Sequence, residues 1–161
     1  MEIKVYNFNN NKELAYLRML ECQNIIDENL FVNGGTLRQE DLLLQNHNWQ
    51  YLLTATIDNQ VVGLSLVRKS NEDKHNTGNN EYYYISLIAV LPSVQRNGIG
   101  TELLNQTLSL PLSLPIVASC RKDNEVSTNF LSNSMNNYND TRRYHRFIHD
   151  KTKKETKNNM L

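Results

Sequence analysis

The residues whose types and spacing can do chemistry sit in one stretch, Gln95-Arg96-Asn97-Gly98-Ile99-Gly100-Thr101. Polar residues lead into two glycines one residue apart. Apolar residues then recur at helical spacing, Ile99, Leu103, Leu104 and Leu108, so the glycines mark a turn that opens a helix. The first amides of a helix lack an intrahelical acceptor, the macrodipole adds positive potential, and missing side chains let a phosphate reach the backbone. The chemistry implied is capture of an anion, and the geometry suits a pyrophosphate. The residues that must position this turn precede it: Ile85 to Val90 is apolar and rich in β-branched side chains, the composition of a strand buried on both faces, and Pro92 ends it. Strand, turn and helix form one unit from Tyr82 to Leu104.

The hydrophobic pattern lays out the rest of the chain around that unit. Ile3, Val5 and Tyr6 predict a short first strand, and Lys12 to Glu28 an amphipathic helix with Leu14, Leu17, Leu20 and Ile25 on one stripe. Asn33-Gly34-Gly35 breaks that helix. Thr36 then caps a second one running through Leu42 to Leu44, with Gln39 placed as in a capping box. Tyr51 to Ile57, a tight turn at Asp58-Asn59-Gln60, and Val61 to Val67 read as an antiparallel hairpin. Arg68 to Asn80 is polar and lacks periodicity, so it reads as a flexible connection long enough to reach over a site. Pro111 and Pro115 end the central helix near Ser109, and Ile116 to Cys120 is a short buried strand. Val126, Phe130, Leu131 and Met135 predict a helix from Asn124 to Met135, and Tyr144, Phe147 and Ile148 a closing strand. The order β, α, α, β, β, β, α, β, α, β is that of an α/β (α+β) fold with a mixed sheet, its β-α-β crossover pairing strands in parallel. A Rossmann dinucleotide fold would need more βα units, a G-x-G-x-x-G turn and an acid on the next strand, none of which the sequence has.

At 161 residues the chain fits one domain, placed at 1–150, followed by a polar tail at 151–161. Its formal net charge is +0, which removes bulk electrostatics as a reason to expect nucleic acid, a membrane surface or strongly acidic substrates. The N-terminus lacks the basic-then-apolar layout of a signal peptide and no long apolar run follows, so a cytoplasmic location is expected. Cys22 and Cys120 are far apart without a CxxC or a histidine-rich neighbour, so neither a disulfide framework nor a metal site is suggested. The C-terminal segment is locally basic through Arg142, Arg143, Arg146, Lys151, Lys153, Lys154 and Lys157. That charge would attract phosphates, an acidic acceptor or RNA; the plainer alternative is a solvated strand edge and tail, because no aromatic platform continues into it.

Ile88-Ala89-Val90-Leu91-Pro92 running into Gln95-Arg96-Asn97-Gly98-Ile99-Gly100 resembles the (Q/R)-x-x-G-x-(G/A) motif after the fourth strand of the GNAT superfamily, the acyl-CoA-dependent N-acetyltransferases. The element order from Tyr51 to about Ile148 is similar too, and Asn124-x-x-Ser127 looks like the start of the helix after that family's fifth strand. The resemblance implies a mainly antiparallel sheet flanked by helices and acetyl-CoA as cofactor. It implies that backbone amides from Gln95 to Thr101 hold the pyrophosphate. The pantetheine arm would lie along Ile88, Ala89 and Val90, between the ends of Ile85–Val90 and Ile116–Cys120, with Asn124 contributing. An amide near Ile88 would polarise the thioester carbonyl. Dimers are common in the family, so a homodimer is the assembly the resemblance allows, while the sequence leaves oligomeric state open.

Members of that family often carry a carboxylate on the fourth strand as base; here the aligned position is Tyr84, with Glu81 three residues earlier as a candidate acting through water. The tyrosine that protonates the departing thiolate in many members is replaced by Leu131, and the later Gly-Phe by Met135-Asn136, with Tyr138 just beyond as a candidate hydroxyl. Alternation sends Tyr82 and Tyr84 to one face and Tyr83 to the other, as an aromatic wall for the acceptor or as ordinary strand filling. Trp49 and His47 are either acceptor contacts or core, His75 reads as a solvated loop side chain, and Cys120 has no recognisable His/Asp partner for covalent catalysis. The function implied is direct transfer of an acetyl group from acetyl-CoA to a primary amine: a small amine, an antibiotic, a polyamine, a protein N-terminus or a lysine. The alternative is a CoA-binding module without transferase activity, and a third reading is RNA binding through the basic tail.

Overall fold

A computed structural model describes residues 1–26 and 48–151. The helix expected over 36–44, the break at Asn33-Gly34-Gly35, residue His47 and the tail beyond 151 lie outside the described residues. The elements are β1 (Glu2–Asn7), α1 (Lys12–Glu21), β2 (Trp49–Ile57), β3 (Gln60–Ser70), β4 (Tyr82–Val90), α2 (Ile99–Leu108), β5 (Ile116–Arg121), α3 (Glu125–Ser132), β6 (Asn136–Asn137) and β7 (Tyr144–His149). The strands make a seven-stranded mixed sheet in the order β1-β2-β3-β4-β5-β7-β6. The chain divides into two compact units, Met1–Arg68 with Ser86–Thr107, and Lys69–Ile85 with Leu108–Leu161.

In the first unit β1 runs antiparallel to β2, from Glu2 opposite Thr56 to Asn7 opposite Tyr51. β2 turns into β3 with Ile57 opposite Gln60, so the turn proper is Asp58-Asn59. Both turn residues take left-handed backbone, φ 50° and 63°, the conformation whose twist matches an antiparallel pair and which Asp and Asn tolerate. Asn11 caps α1 by accepting from the Leu14 amide at 3.1 Å. The stripe that α1 buries is not the leucine stripe read from the sequence. Ala15, Met19 and Cys22 enter the core with Ile25, Ile26, Trp49, Leu52, Leu64 and Leu66, whereas Leu17 and Leu20 are exposed. Burial and the neighbouring Glu21 carboxylate push the Cys22 thiol up to about 12, which makes it an inert packing residue.

Gly63 on β3 sets the seat of α2. A Cβ there would meet Leu103 Cδ1 at 3.0 Å and the Ala89 carbonyl oxygen at 3.2 Å, so helix and strand are closer than a larger residue allows. Thr107 Oγ1 fastens the far end of α2, donating to Ser65 Oγ at 2.8 Å or to the Leu103 carbonyl at 2.7 Å.

In the second unit β4 pairs in parallel with β5 at Tyr83–Ile116 and Tyr84–Val117, and β5 pairs antiparallel with β7 from Ile116–His149 to Arg121–Tyr144. β6, two asparagines opposite Ile148 and Phe147, was not expected, since asparagine carries no strand preference and tertiary pairing alone specifies it. The connection read as flexible is built differently. β3 continues to Ser70, and Asp73 then organises the turn: Oδ1 accepts from the Thr77 amide at 2.7 Å and the Thr77 hydroxyl at 2.9 Å, and Oδ2 from the Gly78 amide at 3.0 Å. Polar composition concealed an Asx-type framework.

Hydrogen bonding, first from the Thr77 amide, holds the Asp73 carboxyl below the usual carboxylate range. A group depressed on folding contributes stability above its ordinary pKa, about 3.9, and loses it as pH falls through the lower folded value. The Thr77 and Gly78 amide resonances should therefore move in an acid titration only below the ordinary carboxylate range, and Asp73→Asn should abolish that step. A step at the ordinary value would show that these bonds do not form.

Among the described residues no helix is long and apolar enough to cross a membrane, and no group of His, Cys, Asp and Glu is placed to hold a metal ion.

Candidate functional site

The loop singled out by its glycines is built entirely within the first unit. β4 ends at Val90, the Leu91 amide still donates to Val62 O at 2.8 Å, and a single 3-10 turn follows over Pro92–Val94. The missing N–H of proline costs nothing at the first position of such a turn. Gln95 then folds back, its Nε2 donating to Val90 O at 2.9 Å, and Asn97 Nδ2 donates to Val94 O at 3.2 Å. Arg96 and Gly98 take left-handed backbone, φ 69° and 79°, and curl the chain into α2. The first helical bond runs from the Glu102 amide to Gly98 O at 3.0 Å, so the amides of Ile99, Gly100 and Thr101 precede it. Ile99, Leu103 and Leu104 are buried and fix the helix, while Gln95, Arg96, Asn97, Gly98 and Thr101 face solvent. Nothing lies within 4 Å of where a Gly98 Cβ would point. A fixed helix head, an exposed cation and open space over a glycine fit a diphosphate.

Upstream on β4, Ala89 and Val90 are buried and Ile88 is half-buried. The Ser86 hydroxyl, two residues before Ile88, is buried without a protein partner, as is the Ser119 hydroxyl on β5. Orphaned polar atoms of this kind favour a polar ligand alongside a strand.

In the second unit the tyrosine run meets the turn organised by Asp73. Tyr82 is fully buried, Tyr83 and Tyr84 half-buried. His75, expected in solvent, is half-buried: its Nδ1 lies 2.5 Å from Tyr82 Oη and its ring stacks on Tyr84 with centroids 4.4 Å apart and planes 14° from parallel. One imidazole touching both rings places Tyr82 and Tyr84 on one face, as alternation requires. Tyr138 Oη donates to the His75 carbonyl at 2.9 Å, and Asn139 Nδ2 to the Asn76 carbonyl at 3.0 Å. Burial pushes the Tyr138 phenol up to about 12 against the opposing pull of Arg146, so at neutral pH it is a proton donor and not a base. Glu81 is exposed and lies 3.7 Å from Lys69 Nζ. Leu131 is buried and offers no hydroxyl, and Trp49 is core. His75 is the residue sequence reasoning missed; the signal for it was Asp73 followed by Thr77-Gly78, the composition of a closed turn.

Asn124 caps α3, its Oδ1 accepting from the Ser127 amide at 3.1 Å. Cys120 Sγ lies 3.5 Å from Thr128 Oγ1. A cavity of about 550 Å³ in the first unit is lined by Glu21, Asn24, Ile25, Asn59, Gln60, Val61 and Leu91. It contains none of the residues from Gln95 to Thr101.

Sheet order and helices together define an α/β protein with a mixed, mostly antiparallel sheet, its glycine-bearing turn opening α2. The chain belongs to the acetyltransferase (GNAT) family, whose model matches residues 19–135. Members of that family take their acyl group from acetyl-CoA or another CoA thioester. Among solved structures it is similar to PaiA N-acetyltransferase from Thermoplasma acidophilum in complex with coenzyme A, at 14% identity and TM-score 0.64, covering 93% of this chain and 99% of that one. It is similar to the aminoglycoside acetyltransferase meta-AAC0020 from an uncultured soil metagenomic sample in complex with sisomicin, at 16% identity and TM-score 0.61, covering 87% and 90%. It is also similar to NAA60 from Arabidopsis thaliana in complex with a bisubstrate analogue, at 10% identity and TM-score 0.58, covering 92% and 97%. Identities this low carry the fold alone. No curated protein matches the sequence.

Proposed function

We propose that this protein transfers an acetyl group from acetyl-CoA to a primary amine by direct attack in a ternary complex. The observation that carries the reading is the glycine loop. The amides of Ile99, Gly100 and Thr101 would hold the diphosphate with Arg96 beside them, the main chain of Ile88, Ala89 and Val90 would hold the pantetheine arm, and Asn124 would donate to it. Bound acetyl-CoA supplies a thioester carbonyl for attack and a thiol leaving group of pKa about 8.5.

The chain's own residues then have four tasks. The Ile88 amide polarises the carbonyl oxygen as charge develops on it. The amine must reach the site neutral, which costs about 4.6 kcal/mol at pH 7 for a lysine of pKa about 10.4 and only about 1 kcal/mol for an α-amine. Glu81, held by Lys69 at the mouth of β4, receives that proton through water. Tyr138, protonated at neutral pH, returns one to the departing sulfur, and Tyr84 walls the acceptor. The acceptor is proposed only as a primary amine; sisomicin belongs to the soil enzyme and the bisubstrate analogue to the plant one.

Buried Leu131 and half-buried Tyr84, where the family pattern has a tyrosine and a carboxylate, favour one second reading: a module that binds CoA and transfers nothing. Thiol release from acetyl-CoA, followed over a panel of small amines, polyamines, lysine derivatives and peptides with unblocked N-termini, separates the two. Turnover on at least one amine is the expected result. CoA binding without turnover on any would replace the transferase with the module, and no CoA binding at all would remove both.

A further inference from the structure

We propose that His75 is a positioning residue of the acceptor side, holding the Tyr84 ring in one plane where the attacking amine is received; the acceptor part of this rests on the transferase reading above. Tyr84 occupies the strand position where a carboxylate would otherwise meet the amine, and a half-buried tyrosine at the start of a strand needs something to fix its ring. The stacked His75 imidazole, 4.4 Å between centroids and 14° from parallel, does so.

His75 is itself held at several points from different parts of the chain. Nδ1 bonds Tyr82 Oη at 2.5 Å, and Tyr82 is fully buried and cannot follow a moving loop. Tyr138 Oη donates to the His75 main-chain carbonyl, and Asn139 Nδ2 to that of Asn76. Asp73 closes the turn on Thr77 and Gly78 from the other side of His75. Asp73 is taken up by that turn, and Glu81 lies 3.7 Å from Lys69 Nζ at the solvent-exposed start of the strand. What Tyr84 presents to an amine is a ring, whose usefulness depends on its orientation.

The test uses the full chain with His75→Ala, His75→Phe and His75→Asn, and tyramine, spermidine, Nα-acetyl-lysine and a tripeptide as acceptors. His75→Ala should raise KM for whichever acceptor turns over by about tenfold with KM for acetyl-CoA unchanged, a split that general destabilisation would not produce. The Tyr84 ring resonances, assigned by NMR, should lose the ring-current shift of the stack. His75→Phe restores the stack and should recover both readouts, whereas His75→Asn keeps a partner for Tyr82 without a ring and should recover neither. Wild-type acceptor KM and unshifted Tyr84 resonances in His75→Ala would overturn the assignment, as would full recovery by His75→Asn. If the wild-type protein acetylates none of the four, the transferase reading is what fails, and the Tyr84 resonances alone decide for or against the role of His75.

Discussion

Replacing Gly98 with valine should raise the dissociation constant of CoA by about tenfold or more, since left-handed backbone costs an L-residue about 1–2 kcal/mol and a β-branched one is the least tolerant. Gly98 sits at φ 79°, and relieving that strain means turning the peptide planes that aim the first amides of α2. Nothing lies within 4 Å of the missing Cβ, so the unliganded protein has no clash to resolve and its stability should fall only by that backbone strain, about 1–2 kcal/mol. Gly98→Asn separates the two components: asparagine accepts this φ, so any affinity it loses comes from the side chain occupying the cradle. Titration calorimetry with CoA on the three proteins reads the result, and a valine variant that binds as the wild type does would show that the diphosphate is held elsewhere.

The second large effect is on stability. Gly63→Val should lower the unfolding free energy by about 1–3 kcal/mol, the usual cost of overpacking a filled core. The Leu103 methyl 3.0 Å from the new Cβ can rotate aside, but the Ala89 carbonyl at 3.2 Å is main chain of β4 and cannot move without disturbing the strand. Gly63→Ala meets the same two atoms with one methyl and should show a smaller loss. Urea midpoints measured for both rank them. Equal midpoints for wild type and valine variant would mean that α2 can slide along the sheet, which the buried Ile99, Leu103 and Leu104 argue against. Because the displaced element carries the loop at its head, CoA affinity should fall along with stability in the valine variant.

What was legible in the sequence is what backbone chemistry spells out. Pro92 is chosen by its missing N–H and Gly98 by its positive φ, so the strand end, the turn and the start of α2 could be read from residue type and stand where expected. The Asp58-Asn59 turn is legible for the same reason. Harder to read was anything decided by contact at a distance. Leu17 and Leu20 score as core and lie in solvent, because the helix seats on Ala15, Met19 and Cys22 instead. The asparagines of β6 become a strand only because Phe147 and Ile148 lie opposite. His75 follows from Asp73, Tyr82 and Tyr138 together, partners brought in from three separate parts of the chain. The residues proposed to handle protons are illegible in the same sense, since each is defined by its neighbours and not by its own type.

Gln95 and Asn97 return their side-chain amides to the carbonyls of Val90 and Val94. The loop is thus braced by its own residues whether or not a ligand is present. Ordering a segment on binding is a cost drawn from affinity, and here folding has already met it. A diphosphate bound as proposed would find its donors aligned, so association should proceed as rigid capture, with little entropy surrendered by the chain.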